Sequence, residues 1–302
     1  MKALGDYIHA RGLKYGIYSS PGPTTCAKYE GSYKHELQDA QSYAEWGVDF
    51  LKHDWCSYGN VAVGEGIEKQ KIPYRTMRQA LDQVDRDIVY SLCQYGMGDV
   101  WKWGNDPDVG GDLWRTTGDI RPSYGSMAEI GFRQNDLAPY AEPSGWNDPD
   151  MLFVHALKPN EQITHLTLWS MLAAPLLIGS DISKLSPYSI DALSNDEVIE
   201  VDQDPLGKQG KRVAQDGNLE VWARPLWDGT TAVALFNRGR ESAVVTAKWS
   251  DLGLKGTLPV RDLWEQKNVG VVRDAFSLAV PPHGARMFKI GAPNALDYTP
   301  QQ

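Results

Sequence analysis

Over the first third of the chain, the apolar positions alternate between helical and strand-like spacing. Leu4, Tyr7 and Ile8 share one helical face within residues 2–12, and Gly12 stands where such a helix would stop. A strand is expected over residues 13–20, followed at once by the turn-rich loop Pro21-Gly22-Pro23-Thr24-Thr25-Cys26. The pattern then gives a helix over 36–46 closed by Gly47, a strand over 48–54, a loop with glycines at 59, 64 and 66, a helix over 74–84 and a strand over 87–94. Further strands are expected over 111–115, 145–150 and 173–180, with a helix over 161–171 before the last. Helices alternating with strands in this way build a parallel sheet.

The pattern changes at the Gly/Pro hinge Asp204-Pro205-Leu206-Gly207-Lys208-Gln209-Gly210. Beyond it lie short alternating stretches at 219–224, 230–236, 243–248, 260–262, 275–280 and 285–290, separated by Asp216-Gly217-Asn218, Asp228-Gly229 and Pro281-Pro282-His283-Gly284. That spacing predicts a small antiparallel β-sandwich. The expected layout is therefore a (β/α) barrel domain over 1–210, a sandwich over 211–291 and a tail without periodicity over 292–302. A closed barrel of this type takes eight strands. About six are found before the hinge and the chain opens on a helix, so the fold class expected is α/β, a (β/α)8-type barrel with strands three to eight present and the first two βα units missing.

Composition narrows the partners. Lys and Arg total 30 against 39 Asp and Glu, a net charge of −9, which argues against nucleic acid or an anionic membrane and for a neutral substrate. No stretch approaches the ~18 apolar residues of a membrane span, and residues 1–6 lack the apolar core of a secretory leader. Trp 11 and Tyr 14 outnumber Phe 6; such polar-edged rings suit sugar faces, and they suit core packing equally well. Three cysteines are too few for a disulfide scaffold. Cys26 and Cys56 each follow a predicted strand by a few residues, which is compatible with one bridge beside a site or with free thiols.

The chemistry gathers at strand ends, where parallel barrels place it. The run Val48-Asp49-Phe50-Leu51-Lys52-His53-Asp54-Trp55-Cys56 delivers Asp54 to a rim, with Lys52 on the same strand face. Trp114-Arg115-Thr116-Thr117-Gly118-Asp119-Ile120 supplies a second carboxylate, Asp119, and Arg115 to bind a hydroxyl or orient an acid. Trp146-Asn147-Asp148-Pro149-Asp150-Met151 supplies a third acidic cluster. Taken singly, each Asp is more commonly a cap or turn former; three at three strand ends point to paired carboxylates acting on a sugar, one as nucleophile and one as acid/base, roughly 5–5.5 Å apart. His53, His155 and His165 lack metal-ligand spacing, Cys93 has no paired His and reads as a buried small apolar residue, and no glycine loop has a phosphate-binding context, so neither metal nor cofactor is expected.

These segments, with Gly16-Ile17-Tyr18 and the 204–210 hinge, closely resemble glycoside hydrolase family 27, the α-galactosidase and α-N-acetylgalactosaminidase family, from residue 1 to about 290. The resemblance implies a retaining mechanism with Asp54 as nucleophile and Asp119 as acid/base. It further implies galactose contacts from Tyr18, Lys52, Arg115 and Asp150, a Cys26–Cys56 disulfide, and secretion or a periplasmic location. The family's specificity segment reads Cys93-Gln94-Tyr95-Gly96 here. Gln94 is bulky enough to crowd a 2-acetamido group and hydrogen-bonds a 2-hydroxyl, which favours terminal α-D-galactose. Two departures stand out: Asp112 and Leu113 occupy the place of the cysteine that pairs with the Cys93 position, and the family's first two strands, with a Trp and an Asp pair, have no counterpart. An α-galactosidase weakened or inactive without those strands is the leading expectation. The alternatives are a β-L-arabinopyranosidase or α-N-acetylgalactosaminidase of the same family, and a non-catalytic carbohydrate-binding remnant. Nothing in the sequence indicates the oligomeric state.

Overall fold

In the computed structural model, which describes residues 1–293, five short strands carry the first part of the chain. The elements run α1 (Lys2–His9), β1 (Gly16–Ser19), α2 (Glu36–Trp46), β2 (Phe50–His53), α3 (Gly66–Leu81), β3 (Val89–Leu92), β4 (Leu113–Arg115) and β5 (Trp146–Asp148). The strands lie in sequence order and every neighbouring pair is parallel. Gly47 ends α2 at φ +78°, a left-handed turn that costs a glycine little.

Register explains which side chains are presented together. Tyr18 pairs with Lys52, Lys52 with Ser91 and Arg115 with Asp148. Because strand side chains alternate faces, the intervening residues Leu51, Tyr90, Leu92 and Trp114 turn the other way. They pack with Tyr74 and Met77 of α3 and with Trp103 into a core in which each is buried. Pro73 sits inside α3, which begins well before the start at residue 74 expected from the apolar spacing.

The chain divides into two compact units, residues 1–118 with 144–148, and residues 119–143 with 149 onward. The second contains α4 (Tyr124–Phe132), α5 (Pro159–Leu172), α6 (Pro187–Leu193), α7 (Asp196–Asp202), β6 (Lys211–Asp216), β7 (Leu219–Pro225), β8 (Thr231–Asn237), β9 (Ala243–Lys248), α8 (Trp249–Leu252), β10 (Thr257–Asp262), β11 (Lys267–Arg273), β12 (Ala275–Val280) and β13 (Gly284–Ile290). Ser186 and Asn195 cap α6 and α7 by accepting from the Ser189 and Val198 N–H groups. Antiparallel strands form a six-stranded sheet ordered β11-β10-β13-β8-β7-β6, and β12 pairs with β9. Leu168, Trp169 and Met171 of α5 share one core with Trp222, Phe236 and Met287 of the large sheet.

The sixth parallel strand, expected over 173–180, is replaced by a single parallel bridge between Leu152 and Ile178. Ala173 ends α5 at φ +52° and Pro175 follows, leaving little extended chain to pair. Strands β6 and β11 were not expected. The tail beyond 291 lies, from residue 294, outside the described residues.

Candidate active site

Asp54 follows directly on β2. Its N–H donates to the Ser19 carbonyl at 2.9 Å, extending the β1–β2 ladder by one step. The loop beyond it is held from several sides. Cys56 is bridged to Cys26, Ser20 Oγ donates to the Cys56 carbonyl at 2.7 Å, and Ser57 Oγ donates to the Thr24 carbonyl at 2.7 Å while accepting from the Thr24 N–H. Gly22 makes this closeness possible, since a Cβ there would stand 2.4 Å from the Cys56 carbonyl oxygen.

Three donors converge on the carboxylate. The Tyr18 hydroxyl donates to Oδ2 at 2.7 Å, the Tyr95 hydroxyl to Oδ1 at 2.6 Å and the Trp55 N–H to Oδ1 at 2.7 Å. These bonds fix the orientation of both carboxylate oxygens. Burial, followed by the bond to Asp54, raises the Tyr18 pKa well above the usual phenol range, so its hydroxyl keeps its proton and remains a donor.

Lys52 is half-buried at the register position between Tyr18 and Ser91. Arg115 is buried; it donates to the Thr117 carbonyl at 3.2 Å and to Cys93 Sγ at 3.6 Å, and its guanidinium lies 5.9 Å from the Tyr95 ring centre. Burial pushes the Cys93 thiol up to about 12, with Arg115 pulling the other way, so this cysteine stays a neutral thiol. His53 faces away from Asp54, edge-on to Tyr74, and burial lowers it to about 3. Gln94 is wholly buried, and neither amide atom has a partner among the described residues. Cys26, Asp54 and Cys56 form the group of metal-type donors that converges there, and both sulfurs are already committed to the disulfide.

In the second unit Asp119 is exposed, and the next residue is fixed: the Ile120 N–H donates to Asp150 Oδ2 at 2.8 Å. Asp150 is buried at φ +89°, a backbone region that side chains seldom adopt, and its carbonyl accepts from Trp169 Nε1 at 2.7 Å. Of the residues that the sequence singled out, Tyr18, Asp54 and the two bridged cysteines lie together, Lys52 is next to Tyr18 in the register, Arg115 is near Tyr95, and Asp150 holds the N–H of the residue after Asp119. The sequence pointed to no role for Tyr95 or for the Trp55 amide. The one available signal was a hydroxyl-bearing ring directly before Gly96.

A family model described as alpha galactosidase A matches residues 1–204, and one described as the alpha galactosidase C-terminal beta sandwich domain matches residues 216–290. The chain belongs to the alpha-galactosidase family. It is 42% identical to alpha-galactosidase 2 of Arabidopsis thaliana, over 96% of this chain and 72% of that protein. Among solved structures, alpha-galactosidase I of Mortierella vinacea superposes with a TM-score of 0.89 at 30% identity, covering 97% of this chain and 81% of the other. A β-L-arabinopyranosidase of Geobacillus stearothermophilus gives 0.81 at 24% identity, covering 99% and 78%, a likeness of fold alone. The family's barrel is represented here by the five parallel strands, and its sandwich by the antiparallel ones.

Proposed function

We propose that this chain removes terminal α-D-galactose from galactosides and galacto-oligosaccharides by a retaining double displacement, with Asp54 as nucleophile and Asp119 as acid/base. The observation that carries the reading is the Asp54 carboxylate at the end of a parallel strand, held by three donors in a member of the alpha-galactosidase family. Asp54 attacks the anomeric carbon while Asp119 gives its proton to the departing oxygen. Asp119 then takes a proton from the water that opens the glycosyl ester. Lys52, Arg115, Tyr18 and Asp150 contact the sugar hydroxyls. Gln94, whose buried amide lacks a partner among the described residues, selects a 2-hydroxyl over a 2-acetamido group. The Cys26–Cys56 bridge supports an oxidising, extracytoplasmic location, and no helix among the described residues is long and apolar enough to cross a membrane.

Hydrolysis of p-nitrophenyl α-galactoside tests the reading. Asp54→Asn is expected to reduce kcat below about 10⁻⁴ of the parent. Asp119→Ala is expected to reduce it by about 10²–10⁴, with a smaller loss on better leaving groups. Full activity of Asp54→Asn would contradict it, and faster turnover of the β-L-arabinopyranoside would replace galactose as the substrate.

A further inference from the structure

The donors on Asp54 are divided unequally between its two oxygens. Oδ1 accepts from the Tyr95 hydroxyl and the Trp55 N–H, and among the described residues Oδ2 accepts from the Tyr18 hydroxyl alone. A carboxylate oxygen offers two in-plane lone-pair directions. Oδ1 is therefore filled, and Oδ2 keeps one lone pair for an electrophile. We propose that Asp54 attacks through Oδ2, and that Tyr95 is a positioning residue that holds Oδ1 as the carbonyl oxygen of the glycosyl ester and speeds that ester's hydrolysis. The proposal rests on the retaining reading given above.

The backbone is bent to place this hydroxyl. Tyr95 stands at φ +63°, and Gly96 follows at φ +81°. A Cβ on residue 96 would lie 2.2 Å from the Thr116 carbonyl oxygen, so the turn is closed against the strand that carries Arg115. A left-handed tyrosine costs free energy, and such strain persists where the surroundings enforce it and gathers at functional sites. Here it brings the ring beside the Arg115 guanidinium and the hydroxyl onto Oδ1.

The charge on Asp54 determines which half-reaction gains. In the first, an Oδ2 lone pair forms the C1–Oδ2 bond, the glycosidic C1–O bond breaks with its electron pair on the leaving oxygen, and that oxygen takes the Asp119 proton. The carboxylate loses its negative charge, so a donor on Oδ1 binds less strongly as the step proceeds. In the second, water attacks C1 and gives its proton to Asp119, and the C1–Oδ2 pair returns to Asp54. Charge reappears on the carboxylate, and the Tyr95 bond strengthens toward the transition state. Removing the hydroxyl should therefore slow the second step without slowing the first.

Tyr95→Phe keeps the ring and removes only the hydroxyl. With p-nitrophenyl α-galactoside the variant is expected to show a burst of nitrophenol approaching the enzyme concentration, a steady rate lower by roughly tenfold, a similar fall in KM, and an unchanged or higher kcat/KM. A hexosyl adduct should accumulate in the intact mass during turnover. A fall in kcat/KM with KM unchanged, or parameters equal to the parent's, would overturn the proposal while leaving the retaining reading intact. A parent chain that hydrolyses no α-galactoside would overturn both. A crystal structure of the parent trapped with a slowly hydrolysed fluorinated galactosyl donor needs no variant: a bond to Oδ2 with Tyr95 on Oδ1 supports the proposal, and a bond to Oδ1 refutes it.

Discussion

Asp202 ends α7 with its carboxyl buried, close to the Arg224 guanidinium, which donates to the Asp202 and Ser170 carbonyls. Burial raises the acid from 3.8 to about 8, and Arg224 offsets only part of that shift. Between those two values the folded state holds a proton that the unfolded chain has released. This group's contribution to stability is therefore complete below about pH 4 and is lost as pH rises through about 8. Asp202→Asn is expected to flatten that decline, measured as urea unfolding free energies at pH 5 and pH 8; an unchanged slope would contradict the assignment. The residues whose strand face was legible in the sequence share one property, that strand alternation fixes their direction: Lys52 and Tyr18 fall on one face and His53 on the other. Tyr95 was not legible because its role depends on two successive left-handed residues, and no apolar period reports a backbone sign.

At the scale of elements, what the sequence hid is set by exposure. β6 and β11 are the two edges of the large sheet, each paired on one side only. β11 is exposed along nearly its whole length, so its residues, Lys267-Asn268-Val269-Gly270-Val271-Val272-Arg273, carry no inward–outward alternation to read. Lys and Arg at their ends suit edges that must not recruit another strand. The central strands β7, β8 and β13 bury alternate or continuous apolar residues and were found nearly to the residue. The helix over 36–46 was found entire, because Gly47 marks its end. The loops after β1 and β2 are joined by Cys26–Cys56 across 30 residues. Replacing both cysteines by serine is expected to lower stability by about 2–4 kcal/mol. It should also lower kcat, because the same loop supplies the Trp55 N–H to Asp54. Unfolding in urea and kcat on an aryl galactoside measure the two effects; a variant as stable and active as the parent would show that the bridge positions nothing.

Across the whole molecule, composition was informative about charge and left the role of the rings open between sugar faces and core packing. A net charge of −9 fits a neutral sugar better than a polyanion. The abundance of tryptophan is largely a matter of packing: Trp103, Trp114, Trp169, Trp222 and Trp249 are fully buried in the cores of the two units. Ordered motifs at strand ends carried the functional reading instead, since a parallel sheet collects residues distant in sequence along one rim. The identity of the nucleophile is the claim on which the rest depends. Peptide mass mapping after exposure to a fluorinated α-galactosyl donor, whose glycosyl-enzyme ester turns over slowly, tests it most directly. The account predicts a single hexosyl label on the peptide containing Asp54; a label on another carboxylate, or hydrolysis with no covalent label at all, would contradict it.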